Sequence, residues 1–136
     1  MKYVLGTAQF GLDYGISNNA GKVSNAVLEE IFKSAIDKGV HYLDTANVYG
    51  DAEKKIGTFS DLTKEFKLIT KVAHLKEDLK IKENIKLIKE ELSMSLDKMK
   101  RDKVDILLVH KTKDILNEEG PEFFQSLIEI KNSGST

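Results

Sequence analysis

Cysteine is absent from this chain and proline occurs once, at Pro121. The first absence excludes disulfides, thiolate metal ligands and cysteine nucleophiles. The three histidines, His41, His74 and His110, lack the close spacing of a zinc site, so no metal is expected. No apolar run approaches the roughly 18 residues of a membrane-spanning helix. The start, MKYVLGTAQFG, reaches Gly6 too early to supply the apolar stretch of a signal peptide. The expected location is therefore cytoplasmic, with no membrane partner. An excess of charge of one sign is missing too, because 21 basic residues face 22 acidic ones and the formal net charge is −1. Such a chain has no broad basic field to hold nucleic acid or an anionic bilayer. The dense run from Lys76 to Lys103 mixes both signs and reads as a solvated helix face with its flanks.

What is present suits an ordinary globular domain. Hydrophobic residues make up 40% of the 136 positions and charged residues 32%, so a core can form. The expectation is one domain over residues 1–136.

The chain alternates between two periodicities. KYVLGTA reads as a buried strand of about residues 2 to 7. A polar, glycine-containing stretch from Gln9 to Val23 follows as a loop with room for a small hairpin. Ser24 is placed to cap a helix through Lys38, with Leu28, Ile31, Phe32, Ala35 and Ile36 on one face and Gly39 as its stop. VHYLDTA is a second strand, AEKKIGTF a short helix and FKLITKV a third strand. A long helix from Lys80 to Lys100 aligns Ile85, Ile88, Leu92, Leu96 and Met99, and KVDILLVH is the fourth strand. Pro121 fits the first turn of a last helix, with Phe124, Leu127, Ile128 and Ile130 expected to face inward. Four alternations of strand and helix predict an α/β fold with a parallel sheet, since parallel strands need crossover connections. Apolar strands such as DILLV agree with burial in such a sheet.

Chemistry in parallel α/β folds gathers at the carboxyl ends of the strands. Asp44 ends the second strand, Lys71 the third and His110 the fourth, while Tyr49 lies in the loop beyond the second. Each alone has an ordinary explanation. An aspartate caps loops, a tyrosine packs, a lysine guards a strand edge and a histidine fills a rim. Ionisable residues at the same end of three successive strands are better explained by a shared site.

The segments LGTAQFG, GVHYLDTANVYGDAEKKIG, LITKV and DILLVHK, in this order, resemble the N-terminal half of the aldo-keto reductase family. The resemblance covers essentially the whole chain. It implies a TIM-barrel fold, of which the first four of eight β/α units are present. It also implies a catalytic tetrad of Asp44, Tyr49, Lys71 and His110, NADPH or less often NADH as cofactor, and a small carbonyl substrate. Gly6, Thr7 and Ala8 then fall beside the nicotinamide, together with Asp44; Ala8 stands where many relatives have tryptophan. The chemistry is coherent by itself. Reducing a carbonyl leaves an alkoxide that needs a proton, and a phenol is a weak acid with an unperturbed pKa of about 10. A neighbouring ammonium (Lys71) held by a carboxylate (Asp44) favours the ionised phenol and so tunes Tyr49 as the donor. His110 would orient the substrate oxygen through a hydrogen bond.

Other residues carry local expectations. GTAQFG lacks the Lys-Ser/Thr ending of a phosphate loop. Asp51 and Glu53 start the short helix, where negative charge is favoured, and a local structural role is expected of Glu53. His41 is read as structural, His74 as a loop residue at the rim, and Asp105 as the end of a surface turn.

A complete barrel takes about 250 residues, so this length corresponds to half of one. The residues that grip most of the dinucleotide lie in the other half in this family. A half-barrel exposes its first and fourth strands and its inner lining. The expectation is a truncated chain that associates with a copy of itself or with a missing C-terminal half. The alternative to a reductase is a catalytically silent half-barrel that acts only through such association.

Overall fold

The computed structural model describes residues 3–136, so Lys2, included in the first predicted strand, lies outside the described residues. Four strands, β1 (Val4–Gly6), β2 (Tyr42–Asp44), β3 (Lys67–Val72) and β4 (Ile106–Val109), pair in parallel in the order in which they occur. The connections carry α1 (Ala8–Gly11), α2 (Asn25–Asp37), α3 (Ala52–Thr58), α4 (Ser60–Thr63) and α5 (Ile81–Met99). A 3-10 turn at Thr112–Asp114 and α6 (Gly120–Asn132) follow β4. Crossovers between parallel neighbours are right-handed, so this order sends the helices to one face of the sheet.

The two faces have opposite fates. Leu5, Leu43 and Leu68 are aligned across β1, β2 and β3, and Leu107 of β4 sits opposite Thr70. These residues point into the helix layer, where Leu43 and Leu68 are fully buried. The alternate row carries Val4, Ile106 and Leu108, which remain 51%, 38% and 42% exposed. Large apolar side chains left open on a sheet face mark a surface that needs a cover.

Phe32 of α2 is the centre of the larger core. Its ring lies 5.6 Å from Phe10 in an edge-on contact and 5.7 and 6.1 Å from Phe59 and Phe66. Phe10 explains a departure from expectation. The stretch after β1 begins with a helical turn, α1, because burying Phe10 against Phe32 rewards that turn; no strand or hairpin forms between α1 and α2. A second core joins Val72, Ile88, Phe123 and Ile130, and Leu96 and Leu107 touch both.

Most boundaries follow local chemistry. The Ser24 side chain accepts from the Val27 N–H at the start of α2, and Gly39 adopts a φ of +70° just beyond its end. Along α5, Ile88, Leu92 and Met99 are buried as the spacing predicts. In α6 the inward row is displaced. Phe123 is fully buried with Ile130, whereas Phe124 and Ile128, expected inside, are exposed. Positions 123, 127 and 130 share a face at helical spacing, and positions 124 and 128 form the next row at its flank. Asp105 is an exposed bend residue ending the loop before β4, as read, and it also reaches β3. Its N–H donates to the Leu68 carbonyl and its Oδ2 accepts from the Leu68 N–H, both at 2.9 Å, so it extends the β3–β4 ladder by one step.

Removing the hub of the aromatic cluster should be severe. Phe32→Ala is expected to cost about 3–5 kcal/mol, a large share of the ~5–15 kcal/mol that holds a typical domain folded. The urea midpoint of the variant against that of the parent chain checks this, and a drop under 1 kcal/mol would contradict it.

Candidate active site

The strand register gathers the candidate residues. Gly6 is paired with Asp44, Asp44 with Ile69, and Lys71 with Leu108. Residues two apart along a strand share a face. Lys71 therefore lies on the Asp44 face one step beyond Ile69, and His110 follows Leu108 in the same way. The three ionisable groups form a staircase on the open face, each nearer the carboxyl end than its neighbour.

The closest contact is ionic. Lys71 Nζ donates to Asp44 Oδ1 at 2.7 Å and to the Thr45 carbonyl at 3.0 Å. The lysine side chain is 16% exposed and the aspartate 29%. The short distance is that of a charge-assisted bond. The same ammonium stands 5.1 Å from the centroid of the Tyr49 ring, within cation–π range. An ammonium has three N–H bonds. Two are taken by Asp44 and Thr45, which leaves one for the tyrosine side.

Backbone packing fixes the loop that carries Tyr49. A Cβ on Gly11 would stand 1.8 Å from the Tyr49 carbonyl oxygen, and one on Gly50 would stand 2.4 Å from the Gly11 carbonyl oxygen. Gly50 also adopts a φ of +59°. The turn after β1 and the loop after β2 thus touch through two glycines. Thr7 strengthens the join, since its N–H and its hydroxyl both donate to the Asp44 carbonyl at 3.0 Å. Gly6, Thr7, Ala8, Asp44 and Tyr49, all singled out from the sequence, line one cleft of about 370 Å³. Gln9 and Tyr14 line it too and were not foreseen; Gln9 Nε2 donates to the Tyr14 carbonyl at 2.9 Å and holds the loop over the cleft.

His110 occupies the far side of the staircase. Burial holds its imidazole below the ordinary value of 6.5; His74 and Lys71 add to the effect, Asp44 opposes it, and Lys111 adds a little more. A neutral imidazole keeps one N–H to donate. His74, read from sequence as a loop residue at the rim, packs its ring on His110 with centroids 4.8 Å apart and planes at 73°. The loop carrying His74 is pinned at two points. Asp114 Oδ2 accepts from the Leu75 N–H at 3.2 Å. Asn84 accepts from the Lys76 N–H at 2.8 Å and donates to the carbonyls of Lys76 and Leu79 at 3.0 and 3.1 Å. Asn84 had a sequence signal, because it interrupts the inward stripe of Ile81, Ile88 and Leu92. Asp114 had none.

Glu53 lies in the first turn of α3, as expected, yet it is buried. Thr70 Oγ1 donates to its Oε1 at 3.4 Å, and Lys98 Nζ stands 3.9 Å from its Oε2. Desolvation raises its pKa above the ordinary 4.5, against the opposing influence of Ser95, Lys98 and Thr70. Asp51 stays near the surface, 3.6 Å from Lys22. His41 is exposed and contributes its carbonyl, which accepts from the Lys67 N–H at 2.8 Å. Among the described residues, no group of three or more His, Asp or Glu side chains is arranged to hold a metal. None of the described helices is long and apolar enough to cross a membrane.

Comparison with known proteins adds to this geometry. The model of the aldo/keto reductase family matches residues 2–136. No curated protein matches the chain significantly. A solved structure from Pseudomonas aeruginosa, assigned as an aldo-keto reductase, is similar with a TM-score of 0.75 at 23% identity, over 96% of this chain and 51% of that one. A second structure of that description from the same organism gives 0.74 at 22% identity, over 96% and 50%. MGS-M4, an aldo-keto reductase enzyme from a Medee basin deep-sea metagenome library, gives 0.64 at 19% identity, over 99% and 43%. The chain thus spans about half the length of the solved structures it matches, and its four β/α units correspond to half of a TIM barrel.

The buried carboxyl of Glu53 generates a pH prediction. Its pKa is higher folded than unfolded, so the folded state binds its proton more tightly. The stabilisation is fully present below about 4.5 and is lost as pH rises through the raised value. Glu53→Gln, which cannot ionise, is expected to gain stability relative to the parent chain across that rise. Urea midpoints of both proteins from acidic to neutral pH measure it, and parallel curves would refute it.

Proposed function

Because this chain belongs to the aldo/keto reductase family, we propose that it carries the proton-donating side of an NADPH-dependent carbonyl reductase. Residues 1–136 are read as one unit, the N-terminal half of the barrel, with NADH as the less frequent cofactor. The observation that carries this reading is the Lys71 ammonium, 2.7 Å from Asp44 and 5.1 Å from the Tyr49 ring, at the edge of the cleft.

The residues divide the work as follows. Gly6, Thr7, Ala8 and Asp44 border the space for the nicotinamide, and the open ground around Gly6 suits a flat ring, since no atom lies within 4 Å of a Cβ built there. When bound, the reduced nicotinamide supplies the hydride that adds to the carbonyl carbon. Tyr49 gives its phenolic proton to the oxygen, so that an aldehyde or ketone leaves as an alcohol. Lys71 stabilises the negative charge left on the phenol, and Asp44 fixes the ammonium for that task. His110, held neutral, donates a hydrogen bond that orients the substrate oxygen. A cytoplasmic location, where reduced nicotinamide is at hand, fits this chemistry.

A complete dinucleotide site needs more than these four units. Val4, Ile106 and Leu108 lie open on the inner face, and Val27 and Phe124 lie open on the outer helices α2 and α6. Four further β/α units would cover those surfaces and supply the grip on the phosphates and adenosine. They would come from a C-terminal half or from a second copy of this chain. The match to only about half of each solved structure also favours a second reading, a unit that is silent until so completed.

Titration of NADPH against the purified chain separates the two readings. Turnover of a carbonyl compound that falls by about 10²–10⁴-fold in Tyr49→Phe establishes the reductase. No binding up to millimolar NADPH leaves the silent unit. Sedimentation of the same sample is expected to show association, and a stable dilute monomer without exposed apolar surface would remove the case for a covering partner.

A further inference from the structure

The reading of His110 as the group that orients a carbonyl leaves open what orients His110. No side chain accepts or donates at its Nδ1, which is buried and without a hydrogen-bond partner. Its ring plane is therefore not set by the usual bond from the second nitrogen of a histidine. The neighbour that meets the ring is His74, edge to face at 4.8 Å, and the Nδ1 of His74 is also buried and unpartnered.

We propose that His74 is a positioning residue for His110: its ring fixes the plane of the neighbouring imidazole at the rim and so aims Nε2 at the substrate oxygen. The inference rests on the role given to His110 above, and three observations carry it. First, the pair lies just beyond the carboxyl ends of adjacent parallel strands. Second, His74 is built in. The residue after it is bonded to Asp114 and the one after that to Asn84, and both side chains are buried. Asp114 stands four residues beyond His110, so its bond ties the loop of one histidine to the turn that follows the other. Third, two buried lone Nδ1 atoms favour the tautomer with the proton on Nε2, because an unpaired N–H is the costlier group to bury. That tautomer presents a donor to the substrate side.

Charge supports the same arrangement. The groups that face His110 are His74 from the β3 exit, Lys71 from β3, Asp44 from β2 and Lys111 from its own segment. His74 and Lys71 both disfavour the charged imidazolium, and His74 shares that influence with no other residue of its loop.

Nuclear magnetic resonance titration of the three histidines in the full chain tests the proposal without requiring turnover. In the parent protein, His110 is expected to titrate below 6.5, with its ring protons displaced by the ring current of His74 and its 15N shifts those of the Nε2–H tautomer. His74→Gln should raise the His110 midpoint and abolish the ring-current displacement. His74→Phe should preserve that displacement, because it keeps an aromatic edge at the same place. Identical His110 midpoints and ring shifts in the parent and His74→Gln would overturn the proposal. If the coupling is found and NADPH does not bind, the reductase reading fails while the histidine pair stands.

Discussion

Parallel pairing in sequence order governs this molecule. It makes each connection cross on the same side, so one face of the sheet receives the helices and the other receives none. The same ladder sets which residues meet on the open face. Asp44, Lys71 and His110 climb by two residues from strand to strand, measured from their paired positions. Strands that close a barrel tilt against its axis, and register shifts accompany the tilt. A staircase of this kind brings tilted strand ends to a common level.

On that face, Asp44 and Lys71 are held by each other rather than by burial. The Lys71–Asp44 pair is only partly shielded, so its Coulomb attraction is neither screened as on a free surface nor set against full desolvation. Its value lies in direction, since the Asp44 and Thr45 acceptors decide where the remaining N–H points. The helix side works by the opposite rule. Glu53 has lost water without gaining a full set of bonds, and its Oε2 lacks a hydrogen-bond partner. Asp44 and Glu53, nine residues apart in the chain, thus live under different physics because the sheet separates them.

The sequence made the strands and long helices legible wherever periodicity alone decides. The stripe of α5 and the cap at Ser24 are examples, and so is the placement of Asp44, Lys71 and His110 at strand ends. It failed where a choice between adjacent rows depends on a neighbour. In α6, Phe123 and Phe124 are equally apolar, and only the position of the helix against Val72 and Ile88 selects the first. It failed again where a side chain acts at a distance, as with Asp105 beside Leu68 and Asp114 beside Leu75, because those bonds span 37 and 39 residues. The cleft residues Gln9 and Tyr14 were missed for a related reason. The helical turn at Ala8–Gly11 packs Phe10 on Phe32, a contact no local pattern reveals.

The strand order has one more implication, for how the chain becomes this structure. Each strand finds its partner in the next unit, so no segment has to wait for a distant one before it can pair. Each pairing still closes a loop of some tens of residues, which slows assembly relative to a helical bundle. During synthesis the amino-terminal units emerge first, so Asp44 and Lys71 are both present before β4 is made. The contact between Asp44 and Lys71 spans 27 residues of chain and ties β2 directly to β3.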